Sequence, residues 1–446
     1  MYFLQLITKK FLFKVSALAL SIVFLFCSIL LVYANDNEPD VEKDSEIVQF
    51  ESTEQNNKIL NYFENNIIKS RQNYDRNNIE LYYPDYYGGS YLDENSELVV
   101  LLKDGTENIR NNLKTVSSNE ELQFEQADFS YAELTEIINF IMSYQENNYH
   151  SKSDGEYNIA KDIVDCTLDD KNNKVIVGIR NLSSEKIEIF KNLIIDLPAI
   201  EFVERTYTPM QIGQNDENNQ SVDELKIDNS DIVENARNTI TVRPGMGIFT
   251  SNNNGNMLYS LGIPMYRTIT SGNQYGFVTA GHKLAVNDTF TDLSTTTSVG
   301  TVRLNRVGGK YDVSFVSLNS GVTCSDNIKD TPYSLYPSNE EIASPIYGKL
   351  VYSYGSQSYS NGRITTTNYS YYNEELEKSF TGMIGAKFRA TYGDSGGLVA
   401  SSGTDNYTKV QEGIICGGLY DSNDVLIGSY FCSAHNIVNL WYLVCY

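Results

Sequence analysis

Basic residues and histidine are scarce in this sequence, and both shortages limit the classes of function that it can have. The 446 residues include 34 Lys and Arg against 57 Asp and Glu, and only three histidines. No basic patch offers a complementary surface to a phosphate backbone, so we expect no nucleic-acid partner. With so few imidazoles in the chain, any chemistry that needs one has few candidates.

The acidity is confined to one half of the chain. Residues 241–446 carry 13 Lys and Arg against 15 Asp and Glu, whereas the residues before them carry 21 against 42. A chain of this length exceeds what one hydrophobic core usually holds. We therefore expect an acidic front unit joined to a nearly neutral back unit.

The amino terminus has the layout of an export signal. Lys9, Lys10 and Lys14 precede an uncharged apolar run over residues 15–32, and small residues before the polar Asn35 favour cleavage after Ala34. We expect residues 1–34 to be a signal peptide and the product to be secreted and extracellular. The alternative is an uncleaved signal anchor, because 18 apolar helical residues nearly span a bilayer core of about 30 Å. A membrane would then be a partner only through this segment.

Cysteine is also sparse for an exported chain. Cys27 lies in the signal segment and Cys166 is alone in the front half, which leaves four in the back half: Cys324, Cys416, Cys432 and Cys445. Four cysteines allow three pairings that the sequence does not rank, so we expect zero to two disulfides.

Residues 35–205 mix the two kinds of secondary structure and predict a small α+β unit. Leu134, Ile137, Ile138 and Ile141 recur at helical spacing, while residues 97–102 and 174–179 are typical of short strands. Ser183 is a candidate cap for a second helix that runs through Phe190. Residues 206–240 are polar and acidic, which predicts an exposed linker.

Residues 241–446 predict an all-β domain closed by one helix. Short runs of Tyr, Thr, Val and Gly alternate with turn residues, without helical periodicity until the end. There, Ile437, Leu440, Trp441 and Val444 fall on one helical face behind a possible cap at Ser433. About 205 residues suffice for two β-barrels that share a cleft.

Three segments of this domain carry the elements of serine catalysis. Ser395 lies in the run Gly-Asp-Ser-Gly-Gly at 393–397, whose glycines let the N–H groups of Gly393 and Ser395 converge on an oxyanion. His282 ends an apolar strand, and Asp312 lies among apolar neighbours in another, where an imidazole would be a suitable partner. A serine hydroxyl needs such a base to become nucleophilic.

In these motifs and their order, His, Asp, Ser, the sequence resembles the chymotrypsin-like serine proteases of the streptogrisin and α-lytic branch. The resemblance implies two six-stranded antiparallel barrels, a catalytic triad of His282, Asp312 and Ser395, and hydrolysis of proteins or peptides without a metal or other cofactor. A weaker similarity over residues 82–91 implies that the front half is a propeptide that assists folding and blocks the cleft.

The resemblance also implies a substrate-binding strand at residues 413–418. Cys416 stands where the family usually has serine, and Gly417, Gly418 and Gly428 are expected to line the substrate site. Open glycine walls favour a bulky or aromatic residue before the cut, whereas Arg389 would favour an acidic one.

Departures from the family leave other features open. Lys283 replaces the cysteine that often follows the histidine, so the usual bridges are missing. There is no Ile-Val-Gly-Gly start, so Asp394 needs a partner other than a new amino terminus, and Arg389 is one candidate.

Two other functions remain as alternatives. An α/β-hydrolase esterase would combine Ser395 with Asp421 or Asp424 and His435, but the region lacks the crossover helices of that fold. We expect His435 on the terminal helix and His150 in a polar loop. The second alternative is an anchored binding protein in which the front half is a permanent domain.

Overall fold

The computed structural model describes residues 41–70, 83–151, 158–211, 240–252, 255–292, 297–336, 342, 344–405, 407–423 and 425–446. Gln49–Tyr446 form one compact unit, and Met1–Val48 form a second. The predicted signal peptide over residues 1–34, which includes Cys27, lies outside the described residues. So do residues 212–239 of the expected linker. None of the helices that the structure describes is long and apolar enough to cross a membrane.

The front half begins with a helix and a small sheet. Its elements are α1 (Val41–Ser70), β1 (Tyr87–Leu92), β2 (Leu98–Leu102), α2 (Glu107–Ser117) and β3 (Gln123–Gln126). β1 pairs antiparallel with β2, and β2 pairs parallel with β3. Every residue of β2 is buried, because α1 and α2 cover one face of the strand with Ile59, Phe63 and Leu113, and Tyr91 and Ala127 pack against the other.

A second sheet follows at once. Its elements are α3 (Tyr131–Asn148), a 3-10 turn (Ile159–Lys161), β4 (Ile163–Asp169), β5 (Lys174–Ile179), α4 (Ser184–Leu193) and β6 (Ile200–Glu204). The predicted helix and both predicted strands are present, and the Ser183 hydroxyl accepts a hydrogen bond from the Lys186 N–H as the cap of α4. The front half is thus α+β as predicted, but its strands form two sheets.

The first residues of the expected linker form a strand instead. Thr208–Gln211 is β7, and it pairs antiparallel with a strand of the back half. The prediction of an exposed linker from residue 206 is therefore wrong for these residues.

The back half is built from strands, as predicted. They are β8 (Ile240–Val242), β9 (Gly247–Asn252), β10 (Gly255–Ser260), β11 (Pro264–Ile269), β12 (Gly272–Thr279), β13 (Thr289–Asp292), β14 (Ser298–Gly308), β15 (Tyr311–Leu318), β16 (Val322–Cys324), β17 (Ser334–Leu335), β18 (Leu350–Tyr354), β19 (Tyr359–Asn373), β20 (Lys378–Ala386), β21 (Leu398–Ser402), β22 (Thr408–Tyr420), β23 (Leu426–Ser433) and β24 (Val444–Cys445).

These strands form two large sheets. The first has the order β10-β9-β13-β14-β15-β12-β11-β24, and the second has the order β18-β21-β22-β23-β20-β19, closed into a ring by pairing of β18 with β19. The predicted all-β class of the back half is confirmed, whereas the count of six strands per barrel is not, since the first sheet contains eight. Val278 and Phe315 of the first sheet share a core with Leu398 and Ile414 of the second.

The second sheet continues into the front half. β4 pairs with β19 through Thr167 opposite Tyr369 and Cys166 opposite Ser370, and β5 and β6 extend the sheet beyond β4. The pairing joins the two halves through backbone hydrogen bonds rather than through side chains alone.

The carboxyl-terminal helix is shorter than predicted. α5 (Ala434–Trp441) contains His435, as expected, and it ends where Tyr442 adopts a left-handed conformation. Val444 then lies in β24 and not on the helix. Ser433 occupies the cap position, but its side chain makes no capping hydrogen bond.

No two of the five cysteines that the structure describes are joined in a disulfide, and four of them are buried. They fill core positions here rather than crosslinking the chain.

Candidate active site

His282 lies just beyond the end of β12, where the chain turns out of the first sheet. Its side chain is 2% exposed, and its carbonyl accepts a hydrogen bond from the Tyr259 hydroxyl at 2.5 Å. Gly281 before it is packed so closely that an added Cβ would lie 2.6 Å from Asn305 Oδ1. The backbone that carries the imidazole is therefore held on both sides.

Asp312 is the second residue of β15 and is completely buried. Its Oδ2 lies 2.7 Å from His282 Nδ1, while its Oδ1 accepts from the backbone N–H of His282 at 2.8 Å and of Gly281 at 2.9 Å. Three donors compensate for the loss of water around this carboxylate. The pairing predicted from the sequence is present in the structure.

The turn that carries Ser395 contacts the strand that leads to His282. The Ser395 carbonyl accepts from the Ser260 N–H at 2.8 Å, and the Ser260 carbonyl accepts from the Thr279 hydroxyl at 2.8 Å. Gly396 has a positive φ of 83° and lies so close that an added Cβ would be 2.5 Å from the Ala280 nitrogen. Glycine at this position thus permits the two sheets to bring their site segments together.

Gly393 also requires the freedom of glycine, since its φ is 91°. Its carbonyl accepts from the hydroxyls of Ser260 and Ser356 at 2.7 Å and 3.0 Å. These bonds fix the Gly393 carbonyl within the loop, and Gly393 and Ser395 remain the residues expected to donate to an oxyanion.

Asp394 is buried, and its partners differ from the predicted one. Its carboxylate accepts from the backbone N–H groups of Gln357, Ser358 and Thr391 and from the Ser358 hydroxyl. Burial raises the pKa of Asp394, and these donors oppose the rise. The candidate Arg389 is exposed and makes no described bond to this carboxylate. Backbone donors were not predictable because nothing in the sequence marks them.

The expected substrate-binding strand is β22. Cys416 is buried, and its thiol donates weakly to the Ile414 carbonyl at 3.4 Å and to the Asp312 carbonyl at 3.8 Å. Burial, together with the charge of Asp312, raises the pKa of Cys416, so the thiol stays protonated at neutral pH. The thiol therefore contacts Asp312 both at its backbone carbonyl and at its side chain.

The glycine walls are less open than expected. An added Cβ on Gly418 would lie 2.5 Å from Leu426 Cδ1 and 2.8 Å from the Tyr420 ring, and one on Gly428 would lie 3.6 Å from Leu419 Cδ1. Apolar side chains of the neighbouring strands therefore lie beside both glycines.

Strand β7 lies in this site, although sequence reasoning missed it. Gln211 pairs with Gly417, Met210 with Gly418, Pro209 with Leu419 and Thr208 with Tyr420. Gln211 Nε2 lies 3.4 Å from Asp312 Oδ2, and a side chain on Gly417 would overlap the Met210 carbonyl. The available signal was the uncharged run from Thr206 to Gln211 just before the acidic stretch.

His435 and His150 are used elsewhere. His435 Nε2 is paired with the Asn439 side chain at 3.1 Å, and burial, with the charge of Lys310, lowers its pKa. His150 is exposed and contacts Tyr372. Ser395 leads into β21, which pairs antiparallel with β18 and β22, so the strand-to-helix elbow of an α/β-hydrolase is not formed.

Within the described ranges, no cluster of three or more His, Cys, Asp or Glu side chains is placed to hold a metal ion.

Comparison with known protein families shows which domains the front half is similar to. Residues 39–127 match the family model described as the Pro-like N-terminal domain, and residues 132–205 match the Pro-like C-terminal domain. The front half is thus similar to pro-like domains over most of its length. The predicted resemblance of the chain to the α-lytic and streptogrisin branch of the chymotrypsin-like serine proteases, with a pro-region in front, is confirmed.

Several solved structures are similar to the chain. Protease A of Thermobifida fusca is 22% identical, with 46% of this chain and 98% of that chain covered and a TM-score of 0.36. A Nocardiopsis protease is 21% identical with the same coverage and a TM-score of 0.37, and a chymotrypsin of Cellulomonas bogoriensis is 22% identical with the same coverage and a TM-score of 0.36. No curated protein matches the chain.

Proposed function

We propose that the chain is the secreted precursor of a serine endopeptidase, in which Ser395 is the nucleophile, His282 the general base and Asp312 the residue that orients the base. The observation that carries the proposal is the buried pair of His282 Nδ1 and Asp312 Oδ2 at 2.7 Å, in a cleft to which the Ser395 turn is joined by backbone hydrogen bonds.

The proposed mechanism follows from which ring nitrogen of His282 is already hydrogen-bonded. Because Nδ1 donates to Asp312, Nε2 is the nitrogen left to take the proton of Ser395 as its Oγ attacks the peptide carbonyl. The N–H groups of Gly393 and Ser395 stabilise the oxyanion, and His282 then protonates the leaving amine. Water, deprotonated by the same imidazole, hydrolyses the acyl-enzyme and regenerates Ser395. No metal or organic cofactor takes part in these steps.

The pro-region is proposed to inhibit the enzyme through β7. A peptide substrate would bind by pairing with the edge of β22. β7 is already paired with that edge, from Gly417 to Tyr420. Gln211 also lies beside the carboxylate that orients the base. We therefore expect processing between Gln211 and Ile240, after which the pro-region leaves the cleft.

The substrate preference is proposed to be a bulky apolar residue before the cut. Leu426 and Tyr420 beside Gly418 offer an apolar surface, whereas an acidic residue would be preferred if the exposed Arg389 contacted the substrate. Sequencing of the peptides cleaved from a diverse library tests this preference.

The test of the function compares Ser395→Ala with Ser298→Ala, a matched change of an exposed serine in the same domain. Wild type and Ser298→Ala should react with a fluorophosphonate, cleave casein and yield a secreted fragment that begins between residues 212 and 241. Ser395→Ala should do none of these and accumulate as the full chain. Cleavage or labelling retained in Ser395→Ala would refute the assignment.

A second pair of variants separates the histidines. His282→Ala should abolish labelling, whereas His435→Ala should leave the processed enzyme labelled. The reverse result would favour the α/β-hydrolase arrangement.

A further inference from the structure

A buried carboxylate outside the catalytic cleft holds the chain just before β7. Asp165, in β4, has no exposed side-chain surface; its Oδ1 accepts from Arg205 Nε at 3.2 Å and its Oδ2 accepts from the Tyr207 hydroxyl. The Arg205 guanidinium also lies 5.2 Å from the centre of the Tyr207 ring. Burial and the charge of Asp165 raise the pKa of Tyr207, so its hydroxyl remains a donor. We call these three residues the tail clamp.

The tail clamp fits against β5 because the residue of β5 that faces it is a glycine. Gly178 of β5 faces Asp165 across the sheet, and an added Cβ there would overlap Asp165 Oδ1 and Arg205 Cγ. The Arg205 N–H in turn donates to the Ile179 carbonyl at 3.0 Å. The backbone and the side chain of Arg205 are therefore both held.

The tail clamp lies between two strand pairings that join the halves of the molecule. On one side, β4 pairs with β19 at Thr167 and Cys166. On the other, Tyr207 immediately precedes Thr208, the first residue of β7 paired with β22. Because Tyr207 and Thr208 are adjacent in the chain, the hydrogen bond between Tyr207 and Asp165 also restricts where β7 begins.

We propose that the tail clamp is a positioning device that sets the register in which the pro-region enters the cleft, an inference that rests on the proposed inhibitory role of β7. A slip of one residue in the pairing of β7 with β22 would move Tyr207 by about 3.3 Å along the chain and take its hydroxyl away from Asp165. A slip of two would bring Arg205 or Pro209 to the place of Tyr207, and neither supplies a hydroxyl there. Both slips leave a buried carboxylate short of a donor.

The test uses the full chain with Ser395→Ala, so that no cleavage intervenes, and measures amide hydrogen exchange. Tyr207→Phe removes one hydroxyl of the tail clamp. The control is Tyr149→Phe, which removes another pro-region hydroxyl that bonds across to the back half, at Glu374 Oε2. We expect Tyr207→Phe to lower protection over residues 208–211 and 417–420 by about tenfold, with β4, β5 and β6 unchanged, and Tyr149→Phe to leave the tail protected.

Two results would overturn the proposal. Unchanged protection of β7 in Tyr207→Phe would show that the tail clamp does not hold the tail, and an equal loss over β4 to β6 would show that Tyr207 only stabilises the pro-region. Asp165→Asn should reproduce the selective loss.

The active chain gives an independent readout. Mass spectrometry of the wild-type products should give one carboxyl terminus for the pro-region, whereas Tyr207→Phe should give a mixture of termini; a single unchanged terminus would contradict the proposal. If the wild-type chain proved inactive, the proposed function would fail while the exchange measurement on the inactive chain would still decide the tail clamp.

Discussion

The carboxylate of Asp394 gives the sharpest quantitative prediction. Oδ1 accepts from the N–H groups of Gln357 and Ser358 at 2.9 Å and 3.1 Å, and Oδ2 accepts from the Thr391 N–H at 2.9 Å and from the Ser358 hydroxyl. In Asp394→Asn, one oxygen becomes an NH2 group. At the Oδ1 position this group faces two backbone N–H donors, whereas at the Oδ2 position it faces the Thr391 N–H, and the Ser358 hydroxyl can turn to accept.

The magnitude follows from the bonds lost. Each hydrogen bond to a charged acceptor is worth about 1.5–3 kcal/mol, and Asp394→Asn loses one or two of them, depending on how the amide turns. Removing a buried charge whose burial raises its pKa offsets part of that loss. We expect Asp394→Asn to lose about 2–4 kcal/mol of unfolding free energy. Because Asp394 holds the turn between Gly393 and Ser395, kcat/KM should fall about 10²–10³-fold, as when an oxyanion donor is removed.

Ser358→Ala provides a graded comparison. It removes only the hydroxyl bond to Oδ2 and leaves the three backbone donors, so about 1–2 kcal/mol should be lost and kcat/KM should fall about tenfold. Asp330→Asn, an exposed carboxylate with 64% side-chain exposure, is the matched control and should change neither quantity.

The assay has two arms. Urea unfolding of the full chain in the Ser395→Ala background gives the free energies, and kcat/KM of the processed enzyme, normalised to fluorophosphonate-titrated sites, gives the catalytic effect. If Asp394→Asn matched Asp330→Asn in both arms, the carboxylate would have no part in ordering the turn. A larger loss in Ser358→Ala than in Asp394→Asn would also contradict the reasoning.

Two further predictions concern buried charges at the contact between the halves. Burial raises the pKa of Asp170 to about 7, and its carboxyl accepts from Thr367 of β19. The folded state therefore holds this proton more tightly than the unfolded state; the resulting stability is complete below about pH 4 and is lost as pH rises through about 7, by up to about 1.4 kcal/mol per pH unit. Asp170→Asn should flatten that slope in urea unfolding at several pH values; an unchanged slope would refute the assignment. Lys349 Nζ lies 2.5 Å from Glu412 Oε1, with side chains 1% and 0% exposed. Lys349→Met should cost about 3–5 kcal/mol by leaving the carboxylate unpaired, and Lys349→Met with Glu412→Leu should recover most of it; a double variant as unstable as the single one would contradict the pairing.

The sequence predicted a helix or strand correctly where the spacing of apolar residues within that one element indicated its buried face. The spacing of Leu134 to Ile141 predicted α3, and apolar alternation around Asp312 predicted β15, because one buried face imposes a period on the sequence. The pattern failed at Val444, where the left-handed Tyr442 ends the helix before the apolar face does.

The features that were missed depend on residues distant in the chain. The pairing of β7 with β22 joins residues about 200 apart, and two of the backbone partners of Asp394 are 37 and 36 residues away. An N–H group is the same in every residue, so no residue type marks where such a donor will be used.

The sequence by itself determined the class of the back half, the segments that carry His282, Asp312 and Ser395, and the α+β nature of the front half, since burial periodicity and the chemistry of a few side chains are local properties. Tertiary structure alone decided that β7 pairs with β22, that Asp165 bonds to Arg205 and Tyr207 just before β7, and that β4 extends a sheet of the other half. A strand edge bonds to any backbone of suitable geometry, so its partner is set only when the whole chain has folded.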